Sequence, residues 1–277
     1  DGDFLGWLHA ADVVIDLRYP HGGEVSGSLA RAMQVGRPTI VSATGTMTPS
    51  LPSRMIAAMG LAPNTRCVPL FGYGCAGGVI GLGVAADLYR ASPDKPVLLV
   101  SLELCSIAYD HARMDKKDMV ALALFADGCA AAMVGAGDGP ELSAFASHVW
   151  PDTLEMMGWE IGDTGFDLVL ARDIPLFVNS HFAPVCDQFV AEQELSKFDM
   201  AEPACHPGGG RVVDALAEYF ADNLEATRAV LRQNGNMSSP TVLFVLEALL
   251  AARPMTKPTL MTALGPGFVG AMGLLKP

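Results

Sequence analysis

The chain has 277 residues, 51% hydrophobic and 17% charged, which excludes disorder and collagen-like repeats and allows one large core or two fused half-domains. Thirty acidic against eighteen basic side chains give a formal net charge of −12 with no Lys/Arg run that could track phosphates, which argues against nucleic-acid and anionic-membrane partners. The six cysteines (Cys67, Cys75, Cys105, Cys129, Cys186, Cys205) show no CxxC spacing and read as reduced thiols of a cytoplasmic protein.

In chain order, DVVIDL (12–17), a helix over about 25–35, TIVSA (39–43), a helix from about Pro52, CVPLF (67–71), a helix over 77–91 and VLLVSLEL (97–104) alternate strand with helix. That alternation implies an α/β fold with a parallel sheet. The nineteen uncharged residues 68–86 approach the length of a bilayer span, but six glycines make them a turn followed by a closely packed helix, so no span is expected. The N-terminus carries no basic n-region, no cleavage site and no Met, and reads as the middle of a longer frame. CAAAMVG (129–135) has a hairpin partner near ELSAFASHV. The pattern then restarts: a helix from Ile174 to about Gln193, the short strand EPAC, a broken helix over about 211–233, another over 239–251, and PTLMTAL with FVGAMGLL as a closing pair. The order of elements is roughly duplicated.

Chemistry concentrates in three places. Cys75 sits between a strand and a glycine-rich helix start, where the positive end of the helix dipole lowers a thiol pKa; a buried structural cysteine is the equal alternative. His206 stands at a strand end before a second glycine-rich helix start, and Asn236 precedes a helix. A histidine there pairs with a thiolate and an amide donates to an oxyanion, although each alone is also an ordinary loop or cap residue.

GYGCAGG, ALFADG, HPGGGRVVDAL, GNMSSPTVLFVLE and ALGPG, in this order, resemble the type III polyketide synthases, the chalcone and stilbene synthase family, over about residues 38–277. WPDTLEMMGW resembles the bacterial branch. The resemblance implies a thiolase-like fold, two duplicated half-domains layered α-β-α-β-α, with the N-terminal half incomplete. It implies a Cys75–His206–Asn236 triad that takes an acyl group from a starter CoA thioester and condenses it with decarboxylated malonyl-CoA. No metal or redox cofactor is implied; acyl-CoA and malonyl-CoA are substrates. Phe125 matches a phenylalanine at the cavity mouth, with Leu168 at the position of its aromatic partner. Thr48, Cys105, Ala108 and Ser238 fall on cavity-lining positions, and Pro266 and Gly267 on a loop beside the site, with core packing as the alternative for each. The small lining residues imply a fatty acyl starter and alkylpyrone or alkylresorcinol products. CVPLF, as an edge strand ending at the nucleophile, implies a homodimer.

Only 74 residues precede Cys75, fewer than the family's N-terminal region, which contributes basic contacts to CoA. The stretch from Phe4 to Gly45 resembles instead part of a GT-B family 4 glycosyltransferase, with Glu24 and Arg31 at the two ends of that family's E-x7-E spacing. A chimaeric frame is therefore expected: a strand-helix-strand segment at 1–44 that completes the sheet, a nucleophile half at 45–150, and a His/Asn half at 151–277. A catalytically weak hybrid and a sugar-nucleotide binding fragment are the alternatives to an active synthase.

Overall fold

The structure, a computed structural model, describes residues 13–20, 37–42, 44, 45, 47–108, 116–162 and 165–277. The expected helix at 25–35, with Glu24 and Arg31, lies outside them. Two sheets carry the fold. The first contains β1 (Val13–Pro20), β2 (Arg37–Val41), β3 (Val68–Leu70), β4 (Val97–Glu103) and β5 (Gly128–Gly137) in the order β1-β5-β4-β2-β3. The second contains β6 (Glu141–Val149), β9 (Ala204–Cys205), β10 (Thr259–Gly265) and β11 (Val269–Lys276) in the order β6-β11-β10-β9. A hairpin of β7 (Met157–Gly162) and β8 (Gly165–Leu170) stands apart from both.

The duplication is visible in the pairing. β2 runs parallel to β4 and β4 antiparallel to β5; likewise β9 runs parallel to β10 and β10 antiparallel to β11. The outer partner is β1 in one sheet and β6 in the other, but β6 is antiparallel to β11 whereas β1 is parallel to β5. β1 thus fills an edge of the first sheet, with β5 and β4 between it and β2.

The central strands β4, β5, β10 and β11 are buried on both faces, which is why they read as near-continuous apolar runs. Val97 and Leu99 of β4 enter one core while Leu98 and Val100 enter another, as period-two alternation requires. Between the sheets lie two helices, Gly77–Arg90 and Thr241–Ala252, whose Leu82 and Leu243 share one cluster with Val97 of the first sheet and Met261 of the second. They approach so closely that a Cβ at Gly78 would lie 2.3 Å from the Ser239 carbonyl oxygen. The helix Leu51–Ala58 buries Met55 against the outer face of the first sheet. Helices Ala183–Ala191 and Gly210–Tyr219 cover the second with Cys186, Phe189, Val213 and Leu216. The layering is α-β-α-β-α.

Two sequence expectations change. ELSAFASHV does not pair with β5; as β6 it opens the second sheet beside β11. Its Phe145 ring occupies the space that Gly83 of the central helix and Gly273 of β11 leave open, and this holds the strand to the second sheet. The passage between sheets therefore falls between Gly137 and Glu141. The helix expected over 174–193 is interrupted by a π-helical turn at Val178–Phe182, just before Pro184, whose missing N–H breaks the regular ladder.

Candidate active site

Cys75 lies in a 3-10 turn, Gly74–Ala76, that joins β3 to the central helix Gly77–Arg90. The turn is pinned by the β10–β11 connection. Gly74 has φ +45, and a Cβ there would meet the Pro266 ring at 2.6 Å; a Cβ at Gly265 would meet the Tyr73 carbonyl at 2.4 Å. Only glycine satisfies both the positive φ and the close approach.

Asn236 follows the helix Glu225–Asn234 and forms an isolated parallel bridge with Phe125: its N–H donates to the Leu124 carbonyl and its carbonyl accepts from Ala126 N–H, both at 2.9 Å. Its side-chain Oδ1 accepts from Ser238 N–H at 2.8 Å and lies 3.9 Å from Cys75 Sγ, while Nδ2 donates to the Gly208 carbonyl at 3.3 Å. The backbone donor at Ser238 fixes which end of the amide is oxygen. One of the two Nδ2 hydrogens is committed to Gly208, and the second is left to donate elsewhere.

His206 extends β9, donating its N–H to the Thr262 carbonyl at 2.7 Å. Its ring is buried and neither ring nitrogen has a hydrogen-bond partner. Burial depresses its pKa to about 3. The thiol of Cys75 is pushed up to about 12, chiefly by burial, with the Glu103 carboxylate adding and hydrogen bonds to Ser238 and Asn236 opposing. The helix dipole does not give a lowered thiol pKa here, because desolvation of the sulfur outweighs it. Both groups are neutral in this arrangement.

Cys75, His206 and Asn236 line one cavity of about 750 Å³. Phe125, Leu168, Ser238 and Pro266 also line it. Three expected contacts do not. Thr48 is exposed in the turn ahead of the helix Leu51–Ala58. Cys105 opens a short helix, Cys105–Ala108, and is buried one layer behind the wall against Ala121 and Leu168. Gly267 sits beyond the lining, donating its N–H to Met157 at 3.3 Å. The side chain of Ala108 lies outside the described residues.

Sequence reasoning missed the β7–β8 wall, where Trp159 opposes Leu168 and Met157 opposes Leu170, all four facing the cavity. Alternation within MGWEIG and GFDLVL was the available signal. It also missed Glu103, a fully buried carboxylate at the end of β4. Glu103 accepts from Thr44 N–H at 3.0 Å, Thr44 Oγ1 at 2.8 Å and Ser239 Oγ at 2.9 Å, and so ties β4 to the start of the second central helix.

Comparison with known proteins places this geometry. The family profile "Chalcone and stilbene synthases, N-terminal domain" matches residues 34–138, and the corresponding C-terminal domain profile matches residues 141–270. The N-terminal match begins within the segment that resembles a glycosyltransferase. A 1,3,6,8-tetrahydroxynaphthalene synthase of Streptomyces peucetius is 34% identical over 99% of this chain and 76% of its own length. A putative chalcone synthase of Bacillus subtilis is 33% identical over 82% of this chain and 67% of its own length. The crystal structure of 1,3,6,8-tetrahydroxynaphthalene synthase from Streptomyces coelicolor superposes with a TM-score of 0.83 at 29% identity, covering 87% of this chain and 71% of that one. Among the described residues no helix is long and apolar enough to cross a membrane. A cysteine on a glycine-rich turn at the interface of two duplicated sheets, together with profile matches across both halves, makes this chain a member of the chalcone and stilbene synthase family, the acyl-transferring type III polyketide synthases of thiolase-like fold.

Proposed function

We propose that the chain condenses a fatty acyl starter with malonyl-CoA through an acyl-enzyme on Cys75. The observation that carries this reading is the juxtaposition of Cys75 Sγ with Asn236 Oδ1, 3.9 Å apart, in the cavity that His206 also lines. The half at 45–150 supplies the nucleophile and the half at 151–277 supplies His206 and Asn236. His206 takes the thiol proton; the sulfur adds to the starter thioester carbonyl, the carbon–sulfur bond to CoA breaks, and the CoA thiolate leaves with that proton. Malonyl-CoA then loses CO2, and the electron pair of the broken carbon–carbon bond becomes an enolate. His206 and the second Nδ2 hydrogen of Asn236 donate to its oxygen. The enolate carbon attacks the acyl-enzyme and releases the Cys75 thiolate.

Leu168 in place of an aromatic, with Leu170, Val120 and Leu124 also on the wall, suits a flexible aliphatic chain. Each methylene buried contributes about 0.8 kcal/mol, so acylation of Cys75 rises with starter length until the cavity is full. Incubation with malonyl-CoA and acyl-CoAs of increasing length, read by mass spectrometry, tests this. Alkylpyrones or alkylresorcinols are expected, and none from Cys75→Ala. A preference for coumaroyl-CoA, or 1,3,6,8-tetrahydroxynaphthalene as the sole product, overturns the fatty starter. A second reading, a folded but weak catalyst, is favoured by the neutral state of both Cys75 and His206. The glycosyltransferase resemblance at 1–44 rests on its motif alone and carries no activity in either reading.

The assembly we propose is a homodimer. β3 is an edge strand, and Phe71 and Tyr73 beside it are 55% and 38% exposed. Light scattering at micromolar concentration is expected to give a dimer mass.

A further inference from the structure

The helix Lys116–Leu124 is turned inside out. Its one acid, Asp118, is buried together with Ala121, while Met119, Val120 and Leu122 are 54%, 51% and 36% exposed. A helix on a surface that faces water carries its polar residues outward, so an apolar outer face without an acid calls for a partner. Leu176 repeats the pattern on a second element: it is 73% exposed in the helical turn Ile174–Phe177, next to Pro175. The two elements meet at one place. Lys116, Val120, Ala123 and Leu124 of the helix and Ile174 and Pro175 of the turn line the same cavity, so the exposed apolar side chains stand around the way in to Cys75.

The charge there is the opposite of the molecule's. The charged side chains of the lining are Lys116, Arg172 and Arg211, all exposed, with no carboxylate among them; Asp173, the exposed acid beside Arg172, is not part of the lining. The net charge of −12 repels an anionic surface from afar, but charges more than about 8 Å away are screened at physiological salt, and at contact the local set decides. We propose that this face docks on an anionic lipid bilayer, with Met119, Leu122 and Leu176 entering the interface and Lys116, Arg172 and Arg211 meeting the headgroups, so that the cavity opens onto the membrane. Burial of the apolar side chains and attraction of the cations to anionic lipid act together in such interfacial binding. The apolar side chains lie on two separate elements beside an open cavity. A fluid bilayer wets both without a matching shape, whereas a protein partner has to supply one. The use of this docking rests on the fatty acyl reading above, because long acyl thioesters and alkyl products partition into bilayers. The docking itself is measured without substrate, so the two fail separately.

Flotation of the whole chain with lipid vesicles is the test. Binding is expected to equimolar phosphatidylcholine and phosphatidylglycerol but not to phosphatidylcholine alone, and it is expected to weaken as salt is raised. Met119→Ser, Leu122→Ser and Leu176→Ser are each expected to lower the partition coefficient about tenfold, and Lys116→Gln about fivefold. Phe198→Ser, at a residue 80% exposed on the 3-10 turn Lys197–Asp199 outside the cavity lining, is expected to change nothing. No binding to the anionic vesicles overturns the proposal. So does binding that the triple variant Met119→Ser, Leu122→Ser, Leu176→Ser leaves unchanged, or a loss in Phe198→Ser as large as theirs. Capture of a purified acidic carrier protein bearing phosphopantetheine, with no capture by vesicles, assigns the face to a protein and equally overturns it. If the variants do not fold, hydrogen exchange on the wild-type protein decides. Anionic vesicles are expected to protect residues 116–124 and 174–177 and to leave 197–199 as they were, and equal exchange at 116–124 with and without vesicles rejects the docking. If Cys75 takes no acyl group from any thioester, the catalytic reading fails by itself and vesicle binding still decides this one.

Discussion

Two buried neutral groups define the site at the scale of residues. His206 is held near pKa 3 by burial, below its ordinary 6.5, so its stabilising contribution is complete above pH 6.5 and is lost as pH falls toward 3. Cys75 is raised from 9.0 to about 12, so its contribution is complete below pH 9 and is lost as pH rises toward 12. His206→Gln, which keeps a polar group but cannot take a proton in this range, is therefore expected to flatten the acid limb of the stability curve between pH 6.5 and 3. Denaturant unfolding across that range measures it. Alkylation separates the charges that act on the sulfur. If His206 is the proton acceptor, the inflection of Cys75 alkylation moves to higher pH in His206→Gln. In Glu103→Gln it moves to lower pH, because a negative charge that opposes the thiolate is gone. The three candidate residues, which line one cavity, were legible because each sits in its own glycine-rich or cap-like motif. Glu103 was not, because an acid at the end of VLLVSLE looks like any strand terminus until Thr44 and Ser239 are brought to it.

At the scale of elements, the central helix Gly77–Arg90 packs tightly against the start of its neighbour at Ser239. Gly78→Ala would place a methyl 2.3 Å from the backbone oxygen of Ser239, which cannot swing aside as a side chain could. A loss of about 1–3 kcal/mol is expected, the cost of overpacking. Acylation should fall as well, since Ser239 lies three residues after Asn236. A near-silent Gly78→Ala would mean the helices are less tightly apposed. Elements with their own periodicity were readable: the central helix, β4, and the closing pair of β10 and β11. The partner of β6 was not, because antiparallel pairing with the next strand is the commoner local solution. What decides otherwise is the fit of Phe145 between Gly83 and Gly273, from two distant segments. The β7–β8 hairpin was hidden for a related reason: Gly158 and Gly165 weaken its strand signal, yet it forms a wall of the cavity.

For the whole molecule, one hydrophobic cluster includes both central helices and residues of both sheets, so the two halves share the core between the sheets in addition to the separate cluster on the outer face of each. Leu243→Ala, at a fully buried position in this cluster, is expected to cost about 2–5 kcal/mol. Thermal unfolding followed by tryptophan fluorescence and by far-ultraviolet dichroism should give one coincident transition in both proteins. Separate transitions would show halves that fold on their own. Composition allowed one large core or two fused half-domains, and the net charge of −12 argued against nucleic-acid and anionic-membrane partners. A linear count of charge hid the three cations among the cavity's lining residues, Lys116, Arg172 and Arg211, because only the fold brings them together.

The turn between β10 and β11 presses on the nucleophile: Pro266 fills the space beside Gly74, and Gly265 lies against Tyr73 and Ala76. Residue 75 is translated almost two hundred positions before these partners, and chains begin to fold as they emerge from the ribosome. During that interval the sulfur has no lid and its pKa is that of an ordinary thiol, not the value burial imposes. Stalled nascent chains ending before Thr259 should therefore be modified by a bulky maleimide at Cys75, and chains stalled with Lys276 clear of the exit tunnel should resist it. Docking of the final hairpin would then also switch the cysteine from a reagent open to any electrophile to one reached only through the cavity.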